Sequence, residues 1–302
     1  MMYFERAKAF IYKNARPLEM ARWKFLFENG SKEDVLTILA TYQNDDGGFG
    51  HALEPDCWNP NSSPIQTLCA TRIVHEIKLE DQKHPIIQGI LRYLSSGKDF
   101  DGHTWLAVIK SNDDYPHAPW WTFESGKAIS YNPTASLAGF IIKFADKNSD
   151  LYALGCRLAK EALDYFQSHY PVDVMHTVSC FVELYTDLKG SNTKDLLDLD
   201  EFRNLLHNQI KRIITNDKEK WGVEYVCKPS LFFDSITSDF YSKYKATAEY
   251  ECDFIVKTQE KDGTWAITWS WGDYPEAWIL SKQWWKSDLI IKNIKFIRAI
   301  RE

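Results

Sequence analysis

Three times in 302 residues an Asp-Gly pair is closed by an aromatic residue between helix-like stretches: Asp46-Gly47-Gly48-Phe49, Asp101-Gly102-His103-Thr104-Trp105 and Asp262-Gly263-Thr264-Trp265, with Trp221-Gly222 as a worn fourth copy. The separation fits a helical hairpin unit of roughly 40 to 55 residues. A hairpin of that size cannot bury its apolar face alone, so its neighbours must stack against it. This repetition predicts an all-α chain, one domain over residues 1–302, in which about six hairpins close into an (α/α) toroid.

The periodicity supports the helical reading. Val35, Ile38, Leu39 and Tyr42 follow one face behind an N-capping Ser31, and Ile65, Leu68, Cys69, Ile73 and Ile77 follow Ser63-Pro64, a cap and a first-turn proline. The same construction is read at Asn132-Pro133, ahead of Leu137, Phe140, Ile141 and Phe144. Further helical patterns lie near 16–28, 151–168, 174–188, 196–214 and 287–300, and Thr104 to Ile109 is the best strand candidate. PIQTLCA from Pro64 and PTASLAG from Pro133 repeat each other, as do DYPHAPW from Asp114 and DYPEAWI from Asp273.

Composition narrows the function. With 36 basic against 42 acidic residues and no dense basic run, nucleic acid is not an expected partner. No stretch approaches the roughly 20 apolar residues of a membrane span, and the charge-broken N-terminal segment lacks the apolar core of a signal peptide. The six cysteines have no CxxC spacing, as suits free thiols in a reducing compartment; the expected location is the cytoplasm. Twelve tryptophans, many beside turns, point to a lined cavity for a small molecule.

Gln43-Asn44-Asp45-Asp46-Gly47-Gly48-Phe49-Gly50 resembles the Q-x-x-D-G-G-F-G turn of the protein prenyltransferase and squalene cyclase superfamily, and Gln259-Glu260-Lys261-Asp262-Gly263-Thr264-Trp265 resembles its glutamine-tryptophan repeat. The resemblance implies the toroid and, as an expectation, prenyl transfer or terpenoid cyclisation in a central cavity. Its reaction motifs are incomplete here. Where the zinc enzymes of the family carry an aspartate and a cysteine, this chain has Asn61 and Ser62, so no metal is assigned and no cofactor is specified. Ser111-Asn112-Asp113-Asp114 lacks the first aspartate of the cyclase D-x-D-D motif, and Tyr115-Pro116-His117 interrupts a D-D-x-x-D.

Gln43, Asp46, Gly47, Gly48 and Phe49 read as turn scaffold, since glycine tolerates positive φ at a helix end and a short carboxylate accepts backbone N–H groups. The candidate chemistry lies beyond the turns. His51, Glu54 and Asp56 occupy one loop, and Asp113, Asp114 and His117 alternate with Trp120 and Trp121 in another. Paired carboxylates can supply a general acid while aromatic faces stabilise a cation or stack on a sugar. Asp114 is taken as the acid, with Asp113, Glu54, Asp56 and His51 in support. Trp58, Trp105, His117, Trp120, Trp121, His176, Trp269 and Trp271 are taken as substrate-binding. A carbohydrate-active toroid and a non-catalytic binding scaffold are the alternatives.

Overall fold

The computed structural model describes residues 2–126, 130–191, 193 and 195–302. Among these residues eleven α-helices run in the order α1 (Met2–Asn14), α2 (Pro17–Phe27), α3 (Lys32–Ala40), α4 (Pro64–Glu76), α5 (Pro85–Ser95), α6 (Thr134–Phe144), α7 (Asp150–Ser168), α8 (Met175–Gly190), α9 (Leu199–Ile213), α10 (Tyr241–Thr258) and α11 (Pro275–Arg301). Short 3-10 turns complete the secondary structure, and no strand occurs among the described residues. The expected strand at Thr104 to Ile109 reduces to a single bridge between Phe100 and Trp105. Its Trp105 N–H is taken by Thr134 Oγ1 at 2.9 Å rather than by a neighbouring strand.

The helix starts mostly follow the local chemistry. Ser31 accepts the Asp34 N–H at 3.0 Å, Ser63 accepts from Gln66 at 3.3 Å ahead of Pro64, and Ser149 accepts from Tyr152 at 3.1 Å. At Asn132-Pro133 the proline is itself the residue preceding the helix, which begins at Thr134.

The helices gather into two compact units, one of residues up to Leu39 with Ile214–Glu302, the other Ala40–Ile213. In the second unit α6 packs with both α7 and α8, and its Leu137, Ala138, Phe140 and Ile141 are wholly buried. Each large apolar side chain so buried contributes about 1.5–3 kcal/mol. Phe166, Phe181 and Phe202 continue this core through α7, α8 and α9, with ring centroids 4.6 to 6.4 Å apart. In the first unit the core forms around Trp23, which stacks on Phe4 at 5.1 Å and meets Phe27 edge-on at 4.7 Å. There Asp288 joins α11 to α2 through Arg22 at 2.8 Å and is also paired with Lys292 at 2.7 Å.

The repeated turns are built alike. Asp46, Asp101 and Asp262 each accept the N–H two residues on or the one after it, and Gly47, Gly102 and Gly263 lie at φ of 91°, 101° and 93°. Gln43 Nε2 bonds the Gly47 carbonyl at 2.9 Å and the Ile86 carbonyl at 3.2 Å; Gln259 Nε2 does the same to Gly263 at 3.0 Å and Tyr3 at 2.8 Å. A methyl group at Gly47 would overlap the Gly89 carbonyl, and one at Gly263 the Arg6 carbonyl. Gly89 and Arg6 each lie three residues beyond the helix carbonyl that the glutamine holds. Turn 43–49 therefore grips the start of α5 as turn 259–265 grips the start of α1. In the middle copy Lys98 replaces the glutamine, reaching Asp46 at 3.0 Å, and Gly102 has no atom in the way of a methyl.

Candidate functional site

The two loops singled out from the sequence meet in the second unit. The Ala118 N–H bonds the Asp56 carbonyl at 2.8 Å, and the Trp58 N–H bonds the Pro116 carbonyl at 3.0 Å. Asn59 Nδ2 reaches Ser111 Oγ and Asn112 Oδ1, both at 2.9 Å, and Asn112 Nδ2 reaches the Trp121 carbonyl at 3.2 Å. A buried asparagine ladder thus holds the 51–58 loop against the 111–124 loop.

Within this frame the candidates separate. Glu54, Asp56 and His117 are buried. His117 contacts the Tyr115 carbonyl at 2.7 Å through Nδ1 and Thr122 Oγ1 at 3.1 Å through Nε2. Asp113 lies 3.9 Å from His117 and accepts the Phe123 N–H at 2.9 Å, which makes it a loop fastener. Asp114 is exposed at the end of a 3-10 turn. His51 is exposed, at φ 59°, with Nε2 2.9 Å from Asn44 Oδ1. Trp120 is 41% exposed, a flat face on the surface, while Trp121 and Trp58 are half-buried. Trp105 belongs to the core beneath Phe100, 4.8 Å between centroids. Trp269 and Trp271 lie in the first unit, where Trp269 meets Tyr225 and Trp285 edge-on and Trp271 is buried beside Trp278.

From the 51–58 loop a polar strip continues onto α4 and α8. Burial and then the Glu54 carboxylate push the Cys57 thiol up to about 12, with Cys69 and Asp56 acting on it as well. Cys69, on α4, also acts on Arg72 one turn further along. Arg72 Nε donates to Glu183 Oε1 at 2.8 Å, its Nη2 faces Cys180 Sγ at 3.9 Å, and Ser136 of α6 donates to the other Glu183 oxygen. Surrounding protein disfavours the Arg72 charge, yet Glu183 reverses this and drives its pKa upward. The Cys180 thiol donates to Asn132 Oδ1 at 3.5 Å and is held up to about 12, chiefly by burial, so it stays neutral.

A second rung lies one turn along. His75 Nε2 is 2.9 Å from Asp187 Oδ1, and Nδ1 is 2.9 Å from the Thr71 carbonyl. Both partners are acceptors, and a neutral imidazole has one N–H, so the arrangement is complete only for the imidazolium. Burial opposes that charge; the Asp187 hydrogen bond and carboxylate outweigh it, and the His75 pKa is raised. Lys143 of α6 approaches Asp187 at 3.9 Å and Glu80 at 3.4 Å.

Arg72, His75, Glu183 and Asp187 were not among the sequence candidates. Their signal is a stripe on α8, His176, Cys180, Glu183 and Asp187 at i, i+4, i+7 and i+11, which puts His176 on the same face as the rungs. No group of three or more metal-ligating side chains occurs among the described residues.

No family model matches the chain, and no solved structure matches it. A 64-residue stretch, 21% of the chain, is 36% identical to part of the trafficking protein particle complex II-specific subunit 130 homolog of Arabidopsis thaliana. The matched segment is 5% of that relative's length, so the likeness is one of a segment and assigns no family.

Proposed function

We propose that the chain is a prenyltransferase- or terpenoid cyclase-like protein, an (α/α) toroid of helical hairpins, which takes a small molecule with an apolar body on the α4–α8 face. The observation that carries this reading is the paired clamp. Gln43 and Gly47 hold α5, the second helix after their turn, and Gln259 and Gly263 hold α1 in the same way after α11. A closed ring of hairpins would require such a repeat, with α1 in the place that follows α11, and the two clamps support the reading in that sense. The strip from Glu54 and Asp56 through Cys69 to Arg72 supplies polar groups for the ligand, with Asp56 and Glu54 better sheltered than Asp114 for any proton transfer.

Native mass spectrometry of the purified chain, alone and with farnesol added, tests the reading. A retained branched hydrocarbon, or a stoichiometric farnesol complex, is the expected result. Failure to bind farnesol together with a co-purified sugar would instead favour carbohydrate chemistry, for which the exposed Trp120 face beside Asp113 and Asp114 offers a platform.

A further inference from the structure

Arg72 is fixed but not used up. A guanidinium presents two bidentate edges, one along Nε and Nη2 and one end-on along Nη1 and Nη2. Glu183 and Cys180 take the first. The end-on edge has no hydrogen-bond partner among the described residues, and the side chain is 41% exposed. The group's orientation is set from α6 and α8, because Ser136 holds Glu183 and Asn132 holds Cys180. A planar, pre-oriented fork facing solvent matches a carboxylate in shape.

Charge decides between oxyanions. The rungs bring Arg72, His75 and Lys143 against Glu183 and Asp187, with Glu80, 68% exposed, reaching Lys143 from the solvent side. At most one positive charge is in excess. That balances one carboxylate and leaves a diphosphate largely uncompensated. We infer that the end-on edge of Arg72 receives the carboxylate of a small organic acid, bound bidentate through Nη1 and Nη2, with Glu183 as the residue that positions the guanidinium.

This inference rests on the α4–α8 face being the ligand site, and its test is separable from the farnesol experiment. The full chain is titrated calorimetrically with octanoate, octanol and inorganic pyrophosphate. Octanoate is expected to bind at least about 10-fold more tightly than octanol, and pyrophosphate to compete poorly. Arg72→Gln should lose octanoate affinity by about 10- to 100-fold, as expected for a charge-assisted bidentate contact. Should Arg72→Gln fail to fold, Arg72→Lys keeps the charge beside Glu183 while removing the fork, and should lose affinity by about 10-fold. Equal binding of octanol and octanoate, preference for pyrophosphate, no octanoate binding, or full affinity in a folded Arg72→Lys would each overturn the assignment. Farnesol binding without octanoate binding would sink the carboxylate and leave the proposed function standing; the reverse outcome would do the opposite.

Discussion

His75 is the residue on which pH acts most directly. The charged and titratable groups facing it are Asp187 and Glu183 on α8 and Lys143 on α6, and the Phe140 ring meets it edge-on at 5.8 Å. Its folded-state pKa lies above the unfolded value, so the rung's contribution is fully present below the unfolded pKa and is lost as pH rises through the folded one. Thermal melts from pH 6 to pH 9 should therefore show the wild type losing about 1–2 kcal/mol, the scale of a hydrogen bond to a charged group, while His75→Gln shows a flatter profile. Parallel profiles for the two proteins would remove the imidazolium from the account. Trp120 offers a contrast at the same scale: as an exposed side chain it should tolerate alanine within about 0.5 kcal/mol. The loops around it were legible in the sequence because acids and tryptophans alternate there. The Arg72 and His75 rungs were not, since their partners Glu183 and Asp187 lie more than a hundred residues away and nothing local announces the pairing.

Among the elements, the turns make the sharpest comparison. Gly47 and Gly102 share a left-handed backbone, but only Gly47 is pressed against a helix carbonyl. Gly102→Ala should cost about 1–2 kcal/mol of backbone strain. Gly47→Ala adds overpacking and should cost about 3 kcal/mol or more, measured by urea denaturation. Similar losses at both positions would mean that the clamp on α5 is incidental. The same contact explains a helix missing from the sequence reading. In α5, PIIQGILRYLS, Gly89 looks like a breaker, yet it sits where the Gln43 amide leaves no room for a side chain. Helices α1 and α10 were also unread, their stripes being interrupted by charge, and α11, expected near 287–300, begins at Pro275. Where an apolar stripe follows a cap, as at Ser63, sequence and structure agree closely.

For the molecule as a whole, the grip of turn 259–265 on α1 makes a testable demand. Arg298 of α11 lies over the Phe4 ring at 4.6 Å, and the Glu302 charge acts on Tyr3, so the end of α11 and the start of α1 are neighbours. A circular permutant that joins them through a short Gly/Ser linker and opens the exposed 146–148 connection should keep a helical circular dichroism spectrum and melt cooperatively. A permutant without cooperative melting would contradict that adjacency. The apolar stripes between the repeated turns made the all-helical character legible, because they recur at the period of a helix and not of a strand. The division into two units was not legible, since the first unit draws on sequence from both ends of the chain.

The Gln259–Tyr3 bond also sets an order of events during synthesis. Its partners are 256 residues apart, which at ribosomal speeds of about 5–20 residues per second separates their emergence by roughly 13–50 s. Over that interval Ala40–Ile213 can complete its own core while α1, with Phe4 and Phe10, has no clamp to receive it. For that interval α1 carries an apolar face without its clamp, the kind of exposed surface that ribosome-associated chaperones bind.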